Sequence, residues 1–139
     1  MMQPRQTTPG PPAWARNLHQ PRLLAAGEDW DAIRVEADVG VSAVGFLEVS
    51  GIPVGPVLHD LCSSRVYFLT RPGTARGWRQ PGTCALGPGS WVVLAPPGWH
   101  GLLRWVSEPT DGPAFTAPDH LTTALAVAAR RTASEEAGR

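Results

Sequence analysis

The run Ser90-Trp91-Val92-Val93-Leu94-Ala95 constrains the fold more than any other segment of the chain. Gly87-Pro88-Gly89 turns the chain into it and Pro96-Pro97-Gly98 ends it, because proline fixes φ and has no N–H to donate to a ladder. Val and Trp fill the run, which makes it the strongest strand in the sequence. Apolar residues of both parities predict a central strand covered on both faces.

Shorter elements of several kinds surround it. Trp30-Asp31-Ala32-Ile33-Arg34-Val35 reads as a first strand, although Trp30 and Asp31 break a clean alternation of apolar and polar residues. Residues 39 to 50 carry Ala43, Val44 and Leu47 at helical spacing, and Gly51 stands where a helix stop belongs. After the breakers Pro53, Gly55 and Pro56, the runs Val57–Asp60 and Arg65–Thr70 are separated by a link short enough for an antiparallel hairpin. A loop over 72–82 leads to a short strand Cys84–Leu86, and Leu102–Val106 supplies one more strand. Pro118 opens a helix that runs to about Arg131 with Leu121, Ala124, Leu125 and Ala128 on one face, and Thr116 is a candidate cap. The expected fold class is α+β: one mixed, largely antiparallel sheet of about five or six strands with helices packed on it. The domain would span residues 23–131, between a Pro-rich flexible tail (1–22) and a polar C-terminal tail (132–139). Trp14 and Leu18 are the candidate anchors of the first tail.

Composition narrows the function classes. With 139 residues the chain holds one domain, and 42% hydrophobic against 17% charged residues describes a globular protein rather than a disordered one. Twelve acids balance twelve bases, which argues against a broad basic surface for nucleic acid. No apolar run is long enough to span a bilayer, and the start lacks a signal-peptide pattern, so no membrane partner and a cytoplasmic location are expected. Every basic residue is Arg, a bias that a GC-rich genome such as an actinobacterium's produces through codon choice. Cys62 and Cys84 form no C-x-x-C motif and are expected to be inert, partly buried thiols.

Three groups of side chains could carry chemistry. Glu36 and Asp38 stand two apart at the end of the first strand, the spacing at which carboxylates share a face and can hold a divalent cation such as Mg²⁺. The alternative is a pair of solvated acids, with Asp38 favourable at a helix N-terminus. His100 follows the strongest strand inside a Gly/Pro turn, placed either to touch a phosphate or simply as a surface residue. His59 beside Asp60 is a weaker candidate for a paired base. Trp78 and Trp99 lie in loops, where a ring can stack on a base or a partner, or else close the end of a core; Trp91 and Trp105 are read as sheet packing.

The segment Gly89-Ser90-Trp91-Val92-Val93-Leu94-Ala95-Pro96-Pro97-Gly98-Trp99-His100-Gly101, followed by Leu103-Arg104-Trp105, resembles a motif of bifunctional DNA primase/polymerase (prim-pol) N-terminal domains. Ile33-Arg34-Val35-Glu36-Ala37-Asp38 falls where that family has an apolar strand ending in D-x-D, and Val66-Tyr67-Phe68-Leu69 with Pro72 resembles another of its strands. The resemblance spans about residues 30–128 and implies a primase-polymerase-like fold. It also implies Mg²⁺ at Glu36 and Asp38 and a phosphate contact at His100. The departures are specific: where the family has two aspartates this chain offers Glu36 and Asp38, or Arg34 and Glu36 in the other register, and Gly98 replaces the serine of S-x-H. Glu108 and Asp111 are the only acids near a third ligand position. A polymerase missing part of its metal cage loses the charge neutralisation that nucleotidyl transfer requires. The reading is therefore a degenerate, non-catalytic binding or accessory protein, whose partner is an unknown protein, a nucleotide or a nucleic acid. The alternatives are a Mg²⁺-dependent nucleotidyltransferase and an adaptor that docks through its Pro-rich tail.

Overall fold

A computed structural model describes residues 10–110 and 112–138. Its elements are α1 (Ala13–Arg16), β1 (Arg22–Ala25), β2 (Asp31–Glu36), α2 (Ala37–Val49), β3 (Val57–Asp60), β4 (Arg65–Thr70), β5 (Thr83–Leu86), β6 (Trp91–Leu94), β7 (Leu103–Ser107) and α3 (Pro118–Ala137). The fold is α+β. Five strands form one sheet in the order β5-β2-β4-β3-β7, and β1 and β6 form a separate two-stranded ribbon. Every pairing is antiparallel.

Alternation along the strands sends side chains to opposite faces of the large sheet. Ile33, Val35, Val57, Val66 and Phe68 face α2 and α3, where Leu47, Leu121 and Leu125 complete one core cluster. Ala32, Leu58, Leu69 and Trp105 face the other way, onto Val92 and Leu94 of β6 with Leu18 and Trp30. The sheet is thus sandwiched between a helical layer and a layer made from the ribbon and the N-terminal segment. Trp14 joins the second layer, its ring 6.5 Å from that of Trp30 and 6.2 Å from that of Trp105. The Trp105 indole N–H is shared between the carbonyls of Ala95 and Pro96, at 3.2 and 3.1 Å.

Several expectations change here. The Ser90–Ala95 strand is not central: among the described residues β6 pairs only with β1, and Trp91 and Val93 are 60% and 43% exposed. The expected helix-covered sheet is the five-stranded one, with all its pairs antiparallel, and β1 and β6 stand beside it as a separate ribbon. Residues 10–22 are not free of the domain, since they contain α1, the start of β1 and the buried Leu18; residues 1–9 lie outside the described residues. The C-terminal residues 132–137 continue α3 instead of forming a tail. Their Ala and Glu favour helix without burying anything, so no apolar stripe marks them. Thr116 does not cap α3, whose N-cap is Ala117; it is buried, and its Oγ1 accepts the Gly55 N–H at 2.9 Å. Cys62 is exposed and Cys84 half-buried, and both are free thiols. No helix among the described residues is long and apolar enough to cross a membrane.

Glycine sets how closely α2 approaches the sheet. A Cβ on Gly40 would lie 2.7 Å from Val66 Cβ and 3.0 Å from Val35 Cγ1, whereas one on Gly45 would meet nothing. Gly40→Ala is expected to destabilise the fold by about 1–3 kcal/mol through overpacking. Gly45→Ala should stabilise it by about 0.5–1 kcal/mol through helix propensity. Urea denaturation of both variants checks the contrast; equal effects would place the helix elsewhere on the sheet.

Candidate functional site

The β2–α2 junction places the acids. β2 ends at Glu36, whose backbone is still extended at φ −56° and ψ 141°, and the helix begins at Ala37. The alternation that would bring residues 36 and 38 to one face therefore stops between them. Glu36 shares the parity of Ala32 and Arg34, away from the helices, and lines a hollow of about 260 Å³ with Arg34, Arg65, Thr83 and Cys84. Asp38 sits in the first turn of α2 and lines a different hollow of about 460 Å³, on the helical side, with Ser42, His59, Glu135 and Glu136.

His100 lines neither of these hollows. It is exposed in the β6–β7 loop, at the end of the sheet where Glu36 also lies, because Glu36 pairs with Arg65, Arg65 with Asp60, and Asp60 with Leu103. Those three steps put β7 roughly 14 Å from β2. Glu108, a candidate third acid, is occupied in bracing this loop: its Oε1 accepts the Gly98 N–H at 2.9 Å. Asp111 lies outside the described residues.

Among the described residues, no group of three or more His, Cys, Asp or Glu side chains is placed to hold a metal ion. The side chains at the expected Mg²⁺ position thus do not fit that ion as a cage. The pairing that sequence spacing suggested for Glu36 and Asp38 is replaced by two separate neighbourhoods. Glu36 shares a hollow with Arg34 and Arg65, and Asp38 shares another with His59, Glu135 and Glu136.

The loop tryptophans also separate. Trp78 packs against the helix-side core, and its indole N–H donates to Thr83 Oγ1 at 2.8 Å. Thr83 Oγ1 in turn donates to the Gln80 carbonyl at 2.6 Å, so the ring closes a core edge. Trp99 is 37% exposed at the tip of the β6–β7 turn and keeps a face for contact.

Sequence reasoning assigned no role to Asp31. Its side chain is wholly buried, and its Oδ2 accepts the N–H groups of Gly73 and Ala75, both at 2.9 Å. This ties the 71–82 connection to the sheet near the start of that connection. Asp31 Oδ1 and the Oγ1 of Thr70, its cross-strand partner, are both buried without a hydrogen-bond partner among the described residues. The signal was in the sequence: an acid between Trp30 and Ala32 that disrupts the alternation of a strand. No protein-family model, curated protein or solved structure matches the chain.

Asp31→Ala removes the acceptor for two loop N–H groups and should cost about 2–4 kcal/mol. Asp31→Asn keeps a carbonyl oxygen for those donors and adds an NH₂ group that can face the orphaned Thr70 hydroxyl. It should stay within about 1 kcal/mol of the parent. Chemical denaturation of the two variants measures this; an Asn variant as unstable as the Ala variant would show that the negative charge itself is required.

Proposed function

We propose that this chain is a non-catalytic binding or accessory domain of the bacterial cytoplasm, built on a scaffold similar to prim-pol domains but without their metal chemistry. The observation that carries this reading is that Glu36, at the end of β2, and Asp38, in the first turn of α2, line different hollows. Two-metal nucleotidyl transfer requires carboxylates converging on one point, where cations neutralise the developing charge on phosphate. Here the two acids line separate hollows, and His100 lines neither.

Element order supports the kinship, since β2 runs into α2 at the position where the resemblance expects a strand closing on its acids. The exposed ring of Trp99 and the Arg34/Arg65 hollow offer a partner contact surfaces that need no bound cation. The adaptor alternative, with residues 1–22 as a detachable docking segment, gains nothing from the packing of Trp14 and Leu18 into the second core cluster.

Calorimetric titration of the full chain with nucleoside triphosphate, with and without Mg²⁺, tests the reading. No Mg²⁺-dependent heat is expected, and Asp38→Ala and His100→Ala should leave the titration unchanged. Mg²⁺-dependent binding that disappears in both variants would establish the nucleotidyltransferase alternative instead.

A further inference from the structure

Charge is balanced over the whole chain but not along it. Between Leu61 and Ser107 there are five arginines and no acid, so the remainder holds seven bases against twelve acids. Three of the five, Arg71, Arg76 and Arg79, fall in the connection between β4 and β5. Arg76 and Arg79 are exposed, and both line a hollow of about 360 Å³ between this connection and the start of α3, together with Trp78, Gln80, Asp119 and Thr122.

The connection is built to hold its shape. Wholly buried Asp31 accepts the N–H groups of Gly73 and Ala75, each at 2.9 Å, on either side of Thr74, which also lines the hollow. The Thr74 hydroxyl donates to the Arg71 carbonyl at 2.6 Å, and Trp78 is tied through Thr83 to the carbonyl of Gln80. None of these bonds uses the guanidinium of Arg76 or Arg79. Two like charges are therefore positioned on a braced loop beside one opening, where an anion relieves their mutual repulsion. The first turn of α3 adds N–H groups that lack a side-chain cap at Ala117. Asp119 is the opposing charge in the hollow.

We propose that this hollow binds a small phosphomonoester, with its phosphate held between Arg76 and Arg79. A carboxylate has two oxygens, which a single guanidinium fork satisfies. A phosphate dianion offers three terminal oxygens and a second charge, enough to accept from both forks and from the Thr122 hydroxyl or the Gln80 amide as well. The volume lies at the lower end of the range for small-molecule sites. A nucleic-acid backbone fits less well, because the other arginines of the segment do not extend the site into a basic stripe. Arg65 lies at the opposite end of β4, and Arg104 lies on β7, at the far edge of the sheet from β5. Recognition here needs no Mg²⁺ and none of Glu36, Asp38 or His100, so its failure and that of the reading above are separate results.

Titration of the isotope-labelled full chain with inorganic phosphate and with methyl phosphate, at constant ionic strength and about pH 8, where both are dianions, tests this. Amide signals of residues 73–80 and 119–122 should shift together and saturate, with a dissociation constant on the order of 1 mM. Arg76→Gln and Arg79→Gln should each weaken binding about tenfold, the loss of a charge-assisted hydrogen bond. Both side chains are exposed, and circular dichroism checks that the variants fold. Asp119→Asn should tighten binding roughly two- to fivefold, since it removes the opposing charge. Dimethyl phosphate, a monoanion, should bind several-fold more weakly. The inference is overturned if no saturable shift appears by about 20 mM phosphate, or if the shifts centre elsewhere. It is equally overturned if both glutamine variants bind like the parent, or if Asp119→Asn weakens binding. Dimethyl phosphate or a single-stranded oligonucleotide that matches the affinity of methyl phosphate through the same residues would overturn the assignment to a phosphomonoester.

Discussion

The pairing of β2 with β4 is the constraint on which the rest of the molecule depends. Its rows alternate Ile33 with Phe68 on one face and Ala32 with Leu69 on the other, all wholly buried. A strand pair that is apolar on both sides must be covered twice. The helices α2 and α3 provide one cover. The other is assembled from distant pieces of chain, Trp14 and Leu18 near the beginning and Val92 and Leu94 much later. This second cover explains why residues 13–25 are ordered onto the domain and why β6, for all its apolar character, lies beside the large sheet instead of within it.

The same division governs the chemistry. The spacing of two that brings Glu36 and Asp38 to one face does so only along an extended strand. Here α2 must begin at Ala37 to bring Ala43, Val44 and Leu47 over the sheet. Gly40 permits that close seat. The helix which completes the core is thus also what parts Glu36 from Asp38, sending one toward Arg34 and Arg65 and the other toward His59. Packing and a convergent acid pair compete for the same residues, and in this chain packing prevails.

Much of the fold was legible in local pattern. The hairpin of Val57–Asp60 and Arg65–Thr70, the α2 stripe and the Gly51 stop all follow from periodicity and turn chemistry acting within a few residues. What stayed illegible depended on distant partners. Leu23-Leu24-Ala25 has no alternation of its own and becomes a strand only by pairing with β6. Thr116 looks like a cap until Gly55 claims its hydroxyl. Asp31 reads as an irregularity because the N–H groups that explain it come from Gly73 and Ala75, beyond the next hairpin. For the candidate site, the positions of Glu36 and His100 near one end of the sheet were within reach of sequence reasoning. The turn from strand to helix between residues 36 and 38 was displaced by two residues from the expected helix start, and that small shift decides the geometry.

The most direct test of the central claim, that the two acids cannot act on one cation, is a titration of isotope-labelled protein with Mn²⁺ followed by paramagnetic broadening of backbone amide signals. The account predicts no shared focus: neutralising one acid, by Glu36→Gln or by Asp38→Asn, should leave the Mn²⁺ concentration that half-broadens the signals around the other unchanged. Saturating broadening that is reversed by Mg²⁺ and is lost in both single variants would contradict it.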